Sequence, residues 1–354
     1  MKQRILIGII VLLTTISCTR DTEKVKPSSM VSTIAFGSCG NQKMDQPVLT
    51  RVVETQPDAF LFLGDNIYGD TKSIDTLRMK YQMLADKSEF QKLKASMPIF
   101  ATWDDHDYGW NDTGKNYPQK TESKQAFLDF FGDQGDSTIS QHEGIYHTAY
   151  LEKAGRRIQL IFLDLRTFRD DLLPYNGNRA DDERFDYEMD YSPYTSGDST
   201  LMGEQQWEWL EGQLSIPADL RVIASGTQFG ITYNGYEAWA NFPHEQKRMT
   251  NLIKAAKANG VIFLTGDVHY AEISKLTVPG LYPLYDVTAS GITSTWDFAT
   301  PNDNRIEGPV MENHFGLLTV DWSQTDPKIS FLIFDVKGKR RFDHSISLSE
   351  LTFQ

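Results

Sequence analysis

The sequence predicts an α/β fold in one large domain, and three observations carry that expectation. Short apolar runs alternate with helical stretches through most of the chain. Clusters of Asp, His, Cys and Gly stand directly after several of those runs. With 354 residues, 40% of them hydrophobic and 12% aromatic, the chain can bury a large core, and no internal repeat or second linker divides it.

At the start, Lys2 and Arg4 precede an apolar stretch from Ile5 to Ile16. It is short for a membrane span but matches the apolar region of a secretory signal peptide. Ser17-Cys18 follows, and this resembles the lipobox of bacterial lipoproteins, with Thr15 replacing the more usual Leu three positions before the Cys. Residues 1–18 are therefore expected to be a signal peptide with Cys18 as the lipidation site; a conventional signal peptide cut nearby is the alternative. Residues 19–31, with Asp21, Glu23, Lys24, Lys26, Pro27, Ser28 and Ser29, read as a solvated tether. That leaves 32–354 as the folded domain of an exported, membrane-anchored lipoprotein facing the periplasm or cell exterior.

Strands are expected at Thr33–Phe36, Ala59–Leu63, Ile99–Thr102, Ile158–Leu163, Arg221–Ala224, Val261–Leu264, Tyr285–Ala289, Leu317–Asp321 and Ile329–Asp335. Helical periodicity marks Pro47–Thr55, Thr76–Lys94, Lys120–Phe131, Gly203–Leu214 and Pro243–Asn259. The last strand runs through Val336-Lys337-Gly338-Lys339-Arg340 into Phe342–Leu348, which reads as a closing hairpin.

The charge balance narrows the function. There are 35 basic and 48 acidic residues, a net charge of −13, so no nucleic-acid-binding surface is evident, and handling phosphate would require bound cations. Beyond Cys18 the only cysteine is Cys39, which therefore has no disulfide partner within the domain. It lies in Gly37-Ser38-Cys39-Gly40, a tight loop after the first strand.

Polar clusters at strand ends supply the chemistry, since ligands in α/β folds gather at the carboxyl ends of strands. Ala101–Gly109 reads ATWDDHDYG, with Asp104, Asp105, His106 and Asp107 in consecutive positions. Carboxylates packed together resist ionisation unless a cation joins them. In Leu63-Gly64-Asp65-Asn66-Ile67-Tyr68 a strand ends at Gly and delivers a carboxylate able to bridge two metals, with Asn66 to orient it or ligate through its carbonyl. Leu264-Thr265-Gly266-Asp267-Val268-His269 repeats the device, and the spacing of two lets Asp267 and His269 share one site.

The order GSC, GDNIY, WDDHDYG and GDVHYAE resembles the alkaline phosphatase D (PhoD-like) branch of the calcineurin-like metallophosphatases. The resemblance implies a four-layer sandwich of two mixed β-sheets flanked by helices, with the metal site at the strand C-terminal ends. It implies Cys39, Asp65, Tyr68 and His269 around Fe(3+), and Asp65, Asp105 and Asp267 around Ca(2+) or another hard divalent ion. His106 then faces the substrate, to protonate the leaving oxygen or hold a phosphate oxygen. Gln228 is a further candidate ligand, because the His that the wider superfamily commonly supplies is absent from Ala224–Phe229.

The implied activity is metal-assisted hydrolysis of a phosphoester, monoester or diester. Arg166, in Leu163-Asp164-Leu165-Arg166-Thr167, either neutralises a phosphate oxygen or makes a structural ion pair. The segment Arg179–Asp190, with six carboxylates, reads as a solvated insertion or as a lid that limits substrate size or adds a Ca(2+) ligand. Two alternatives stay open: a phospholipase D-like phosphodiesterase, and a nonenzymatic calcium-binding surface lipoprotein. Oligomeric state is not indicated.

Overall fold

The computed structural model describes residues 30–178 and 187–354. The signal peptide, Cys18, nearly all of the tether and most of the acidic segment lie outside the described residues. Within them, a six-stranded and a seven-stranded sheet stack face to face, with helices outside both.

The first sheet is built on β1 (Val31–Gly37), β2 (Ala59–Leu63) and β3 (Ile99–Thr102), which are mutually parallel in that order. Antiparallel β13 (His314–Asp321), β14 (Lys328–Asp335) and β15 (Arg340–Ser347) extend it on the β1 side. The second sheet has a parallel centre of β5 (Arg156–Phe162), β8 (Leu220–Ser225), β9 (Val261–Thr265) and β11 (Leu284–Ala289). Its antiparallel edges are β4 (His147–Lys153) on one side and β10 (Ala271–Leu276) with β12 (Arg305–Val310) on the other. A two-residue pair, β6 (Leu173–Pro174) and β7 (Tyr191–Ser192), stands apart.

Period-two alternation explains the layers. In β2, Leu61 and Leu63 join the core shared with the second sheet, whereas Phe60 and Phe62 join the core beneath helices α1 (Pro47–Thr55), α2 (Ile74–Ala85), α3 (Ser88–Ser96) and α5 (Lys120–Phe131). Helices α6 (Gly203–Leu214) and α7 (Pro243–Ala256) bury Trp207, Leu210, Met249 and Ile253 against the second sheet. A short turn of helix, α4 (Asp105–Tyr108), follows β3.

The helix expected over Thr76–Lys94 is two helices. Lys87 between them is extended, with φ −70° and ψ 129°, and this reset lets Phe90 pack against Phe62 at 6.1 Å between ring centroids. Three strands of the two large sheets, and the short β6–β7 pair, were not foreseen from apolar runs. In β4 the last four positions are exposed or half-buried, β10 lies in a segment whose Asp-His pattern drew a functional reading, and β12 is largely exposed at a sheet edge.

Candidate metal centre

Side chains from β1, β2, β3, β9 and β11 converge because all these strands run in parallel within their sheets and end at one rim. Gly64 makes the rim possible at β2, with φ +99° and Asp104 Cβ only 2.5 Å from where its own Cβ would stand. Gly226 after β8 is pressed on the same carboxylate, 2.5 Å from Asp104 Oδ1 by the same measure. A side chain at either position would push Asp104 out of its place.

Backbone strain is concentrated at this rim. Of the ten non-glycine residues with positive φ among the described residues, six surround it: Cys39, Asp65, Asp70, Asp112, Asp267 and His269. Each such residue costs on the order of 1–3 kcal/mol, and strain of this kind gathers where side-chain placement matters more than local comfort.

Two groups of donors form, each with its atoms within 4.8 Å of one another, and they share Asp65. One is Cys39, Asp65 and His269; the other is Asp65, Asp105 and His106. Cys39 Sγ lies 3.4 Å from Asp65 Oδ2, and Tyr68 Oη lies 3.2 Å from His269 Nε2, which brings the phenol to the first group. Asp267 falls in neither group; its backbone oxygen lies 3.6 Å from Cys39 Sγ, and its charge bears on both Cys39 and Asp65. A third acidic group, Asp105, Asp112 and Glu237, is countered by Arg166 and Arg169, which both pair with Glu237.

The electrostatics call for added positive charge. Burial, then the charges of Asp105, Asp104, Asp107 and Asp267, hold the Asp65 carboxyl well above the usual range. Burial and Asp65 do the same to the Cys39 thiol, and burial with Cys39 and Asp65 to the Tyr68 phenol. Asp65 Oδ1 and Asn66 Oδ1 are buried with no hydrogen-bond partner. Thiol, phenol, imidazole and carboxylates with unpartnered oxygens aimed inward are a donor set that fits metal cations.

His106 is held from behind: its Nδ1 lies 2.6 Å from Asp70 Oδ1, and its ring lies against Tyr68 at 4.4 Å. Burial lowers its pKa, but Asp70, Asp105 and Asp104 outweigh burial and push it up to about 9. Burial and the His106 charge lower His269 to about 4, so its imidazole is neutral and able to act as a ligand. Asn66 donates to Thr102 O at 2.8 Å and to Asp107 Oδ2, which ties the loops after β2 and β3 together.

Two expected site residues lie away from this cluster. Of the two readings of Arg166, the structure shows the ion pair: it is 0% exposed, bonded to Asp104 and to Glu237 Oε2 at 2.8 Å. With no exposed surface it cannot touch a substrate in this conformation. Gln228 is brought into neither donor group; its amide donates to Glu272 Oε1 at 2.8 Å and Thr288 Oγ1 at 3.0 Å.

The loop after β11 went unread as a functional segment, yet it touches three of the candidate ligands. Ser290 Oγ is 3.0 Å from Cys39 Sγ, Ser294 Oγ accepts from Tyr68 Oη at 3.3 Å, and Trp296 N–H donates to His269 O at 3.2 Å. His314 supports it by accepting from Ser290 N–H at 3.0 Å. Its signal was present, in a run of small polar residues directly after an apolar strand. Asp70, Asp112 and Glu237 carried no comparable signal, because each acts through a partner distant in sequence.

Fold and site together define a two-sheet α/β sandwich with a metal-donor cluster at its strand ends. Residues 34–310 match the model of the PhoD-like phosphatase family, and the chain belongs to that family. It is 25% identical over 301 residues to alkaline phosphatase D of Bacillus subtilis (strain 168), a match covering 70% of this chain and 47% of that protein. The chain thus spans about half the length of that curated relative. A solved structure of PhoD superposes with a TM-score of 0.68 at 18% identity, over 89% of this chain and 72% of that one. The structure described as GAP50, the anchor in the inner membrane complex of Plasmodium, superposes with a TM-score of 0.55 at 13% identity, over 90% and 89%. These two likenesses establish the fold.

Proposed function

We propose that this protein is a metal-dependent phosphoester hydrolase, with Fe(3+) held by Cys39, Asp65, Tyr68 and His269. Ca(2+) or another hard divalent cation is assigned to Asp65, Asp105 and Asp267. The observation that carries the reading is the sharing of Asp65 between two donor groups, the arrangement by which one carboxylate bridges two cations. Cations so placed supply positive charge to the phosphoryl oxygens and lower the pKa of water at the site.

The chain's own residues do the rest. With Nδ1 engaged by Asp70, His106 keeps Nε2 for the substrate, and its side chain is 17% exposed, enough to reach the oxygen that leaves and give it a proton. Asp104, fixed by Arg166, holds the turn that carries Asp105 and His106. The proposal extends to the N-terminus: export through residues 1–18, lipidation at Cys18, a tether to residue 31, and a domain of residues 32–354.

Elemental analysis of protein purified without chelators, with hydrolysis of an aryl phosphate and of its bis-aryl diester measured before and after metal removal, tests the reading. Iron and a divalent cation, with activity lost on removal and regained on return, are expected. Bound calcium without iron or hydrolysis would instead leave the calcium-binding surface lipoprotein. Incorporation of labelled fatty acid, abolished by Cys18→Ala, tests the anchor.

A further inference from the structure

Four aromatic rings form a continuous strip beside His269. The Trp296 ring is centred 5.4 Å from the His269 imidazole, and Phe298 stacks on Trp296 at 5.3 Å with 6° between planes. Tyr236 meets Trp296 at 5.4 Å, and Tyr187 stacks on Tyr236 at 5.2 Å. Phe298 is 36% exposed and the other three rings are half-buried. A contiguous set of such rings left partly open beside a polar pocket marks a binding surface.

The strip is also held rigidly. Trp296 N–H bonds to the backbone of His269, and Tyr270 lies behind Trp296 at 6.1 Å. The Tyr270 hydroxyl is 2.8 Å from Thr300 Oγ1, which in turn accepts from Asn234 Nδ2 at 3.2 Å.

We infer that Trp296 and Phe298, backed by Tyr236, form a stacking platform for a planar aromatic ring on the alcohol side of the phosphoester, and so set which esters the site prefers. The inference rests on the hydrolase reading above and deepens it. The platform begins one ring away from a candidate metal ligand, within the reach of an aryl or nucleoside ester whose phosphate sits at the donor cluster. Stacked aromatics select planarity and tolerate ring identity. Rim charge narrows the class: Glu188, Asp190 and Asp297 are exposed here, so a neutral ring is favoured over a group bearing further phosphates.

Two substrate pairs isolate the ring from the chemistry of the ester bond: adenosine 5′-monophosphate against ribose 5-phosphate, and benzyl phosphate against cyclohexylmethyl phosphate. The metal-loaded full chain is expected to favour the planar member in kcat/KM by about ten-fold in at least one pair. The pair that responds tells a nucleobase from a simple aryl group. Trp296→Leu and Phe298→Leu should each collapse that ratio towards one, chiefly through KM. Absence of a preference in both pairs, or a preference that survives both variants, overturns the platform. If none of the four monoesters is hydrolysed, binding decides the platform, and the hydrolase reading fails as well only when the bis-aryl diester is also untouched. Tighter binding of benzylphosphonate than of cyclohexylmethylphosphonate, read by tryptophan fluorescence and lost in Trp296→Leu, supports it; equal binding overturns it.

Discussion

His106 Nδ1 lies 2.6 Å from Asp70 Oδ1, so the imidazole between the candidate metal ligands is oriented by a carboxylate outside them. Replacing His106 with Asn is expected to cut kcat about 10²–10⁴-fold, the range for a positioned general acid. Asp70→Asn should produce a smaller loss, again in kcat rather than KM. Metal content, measured alongside, should be unchanged in both. A drop in metal equal to the drop in activity would make His106 a ligand.

Cys39→Ser and His269→Ala are each expected to lower iron content and activity together, while leaving the divalent cation in place. Asp65→Asn should lower both metals, because both groups use this residue. Mass spectrometric metal analysis of the purified variants separates the cases.

Metal removal should also destabilise the fold. The carboxylates around Asp65 raise one another's cost of ionisation, and a cation at 1,000 times its dissociation constant adds about 4 kcal/mol to stability. A melting temperature that is indifferent to chelation and to returned metal would count against the site.

Arg166→Met should destabilise the protein by about 3–5 kcal/mol in denaturant titration, because it strands Asp104 in the interior and leaves Glu237 to Arg169 alone. Arg166→Lys should recover little, since one ammonium cannot replace a fork bonded to two carboxylates. A raised KM with unchanged stability would restore a substrate-binding role.

Far from the metal centre, His147 provides a pH test. Burial holds its pKa down to about 4, with Nδ1 donating to Ile145 O at 2.8 Å and its ring stacked on Phe162 at 4.4 Å. The unfolded chain takes up this proton near pH 6.5 and the folded chain only near 4, so the stability is fully present above about 6.5 and is lost as pH falls to about 4. The loss amounts to about 3 kcal/mol. His147→Phe should make the stability profile shallower across that window in chemical denaturation, with His269 and His314, also held down to about 4, leaving the remaining slope.

Legibility followed locality. Strands β1, β2, β3 and β9 were readable because each is a buried apolar run ending in Gly or a polar cluster. Tyr68, Asp105 and His269 were readable through the family resemblance of their motifs. Edge strands β4 and β12 escaped because half of an exposed strand looks like any polar segment. The role of Arg166 stayed open because an arginine beside a motif has the same residue type whether it meets a phosphate or a carboxylate.

The sequence alone determined the class of fold and the kinds of atoms available for metal binding, since both reside in short-range pattern: alternation along strands, and donors at their ends. Tertiary structure alone decided which donors meet. It made Asp65 common to two groups, turned Arg166 inward to Asp104 and Glu237, set Asp70 behind His106, and brought the Ser290–Trp296 loop against Cys39, Tyr68 and His269. The physical reason is that charge pairing and ligation act over a few ångströms in space, and only the stacking of the two sheets brings residues more than two hundred positions apart within that range.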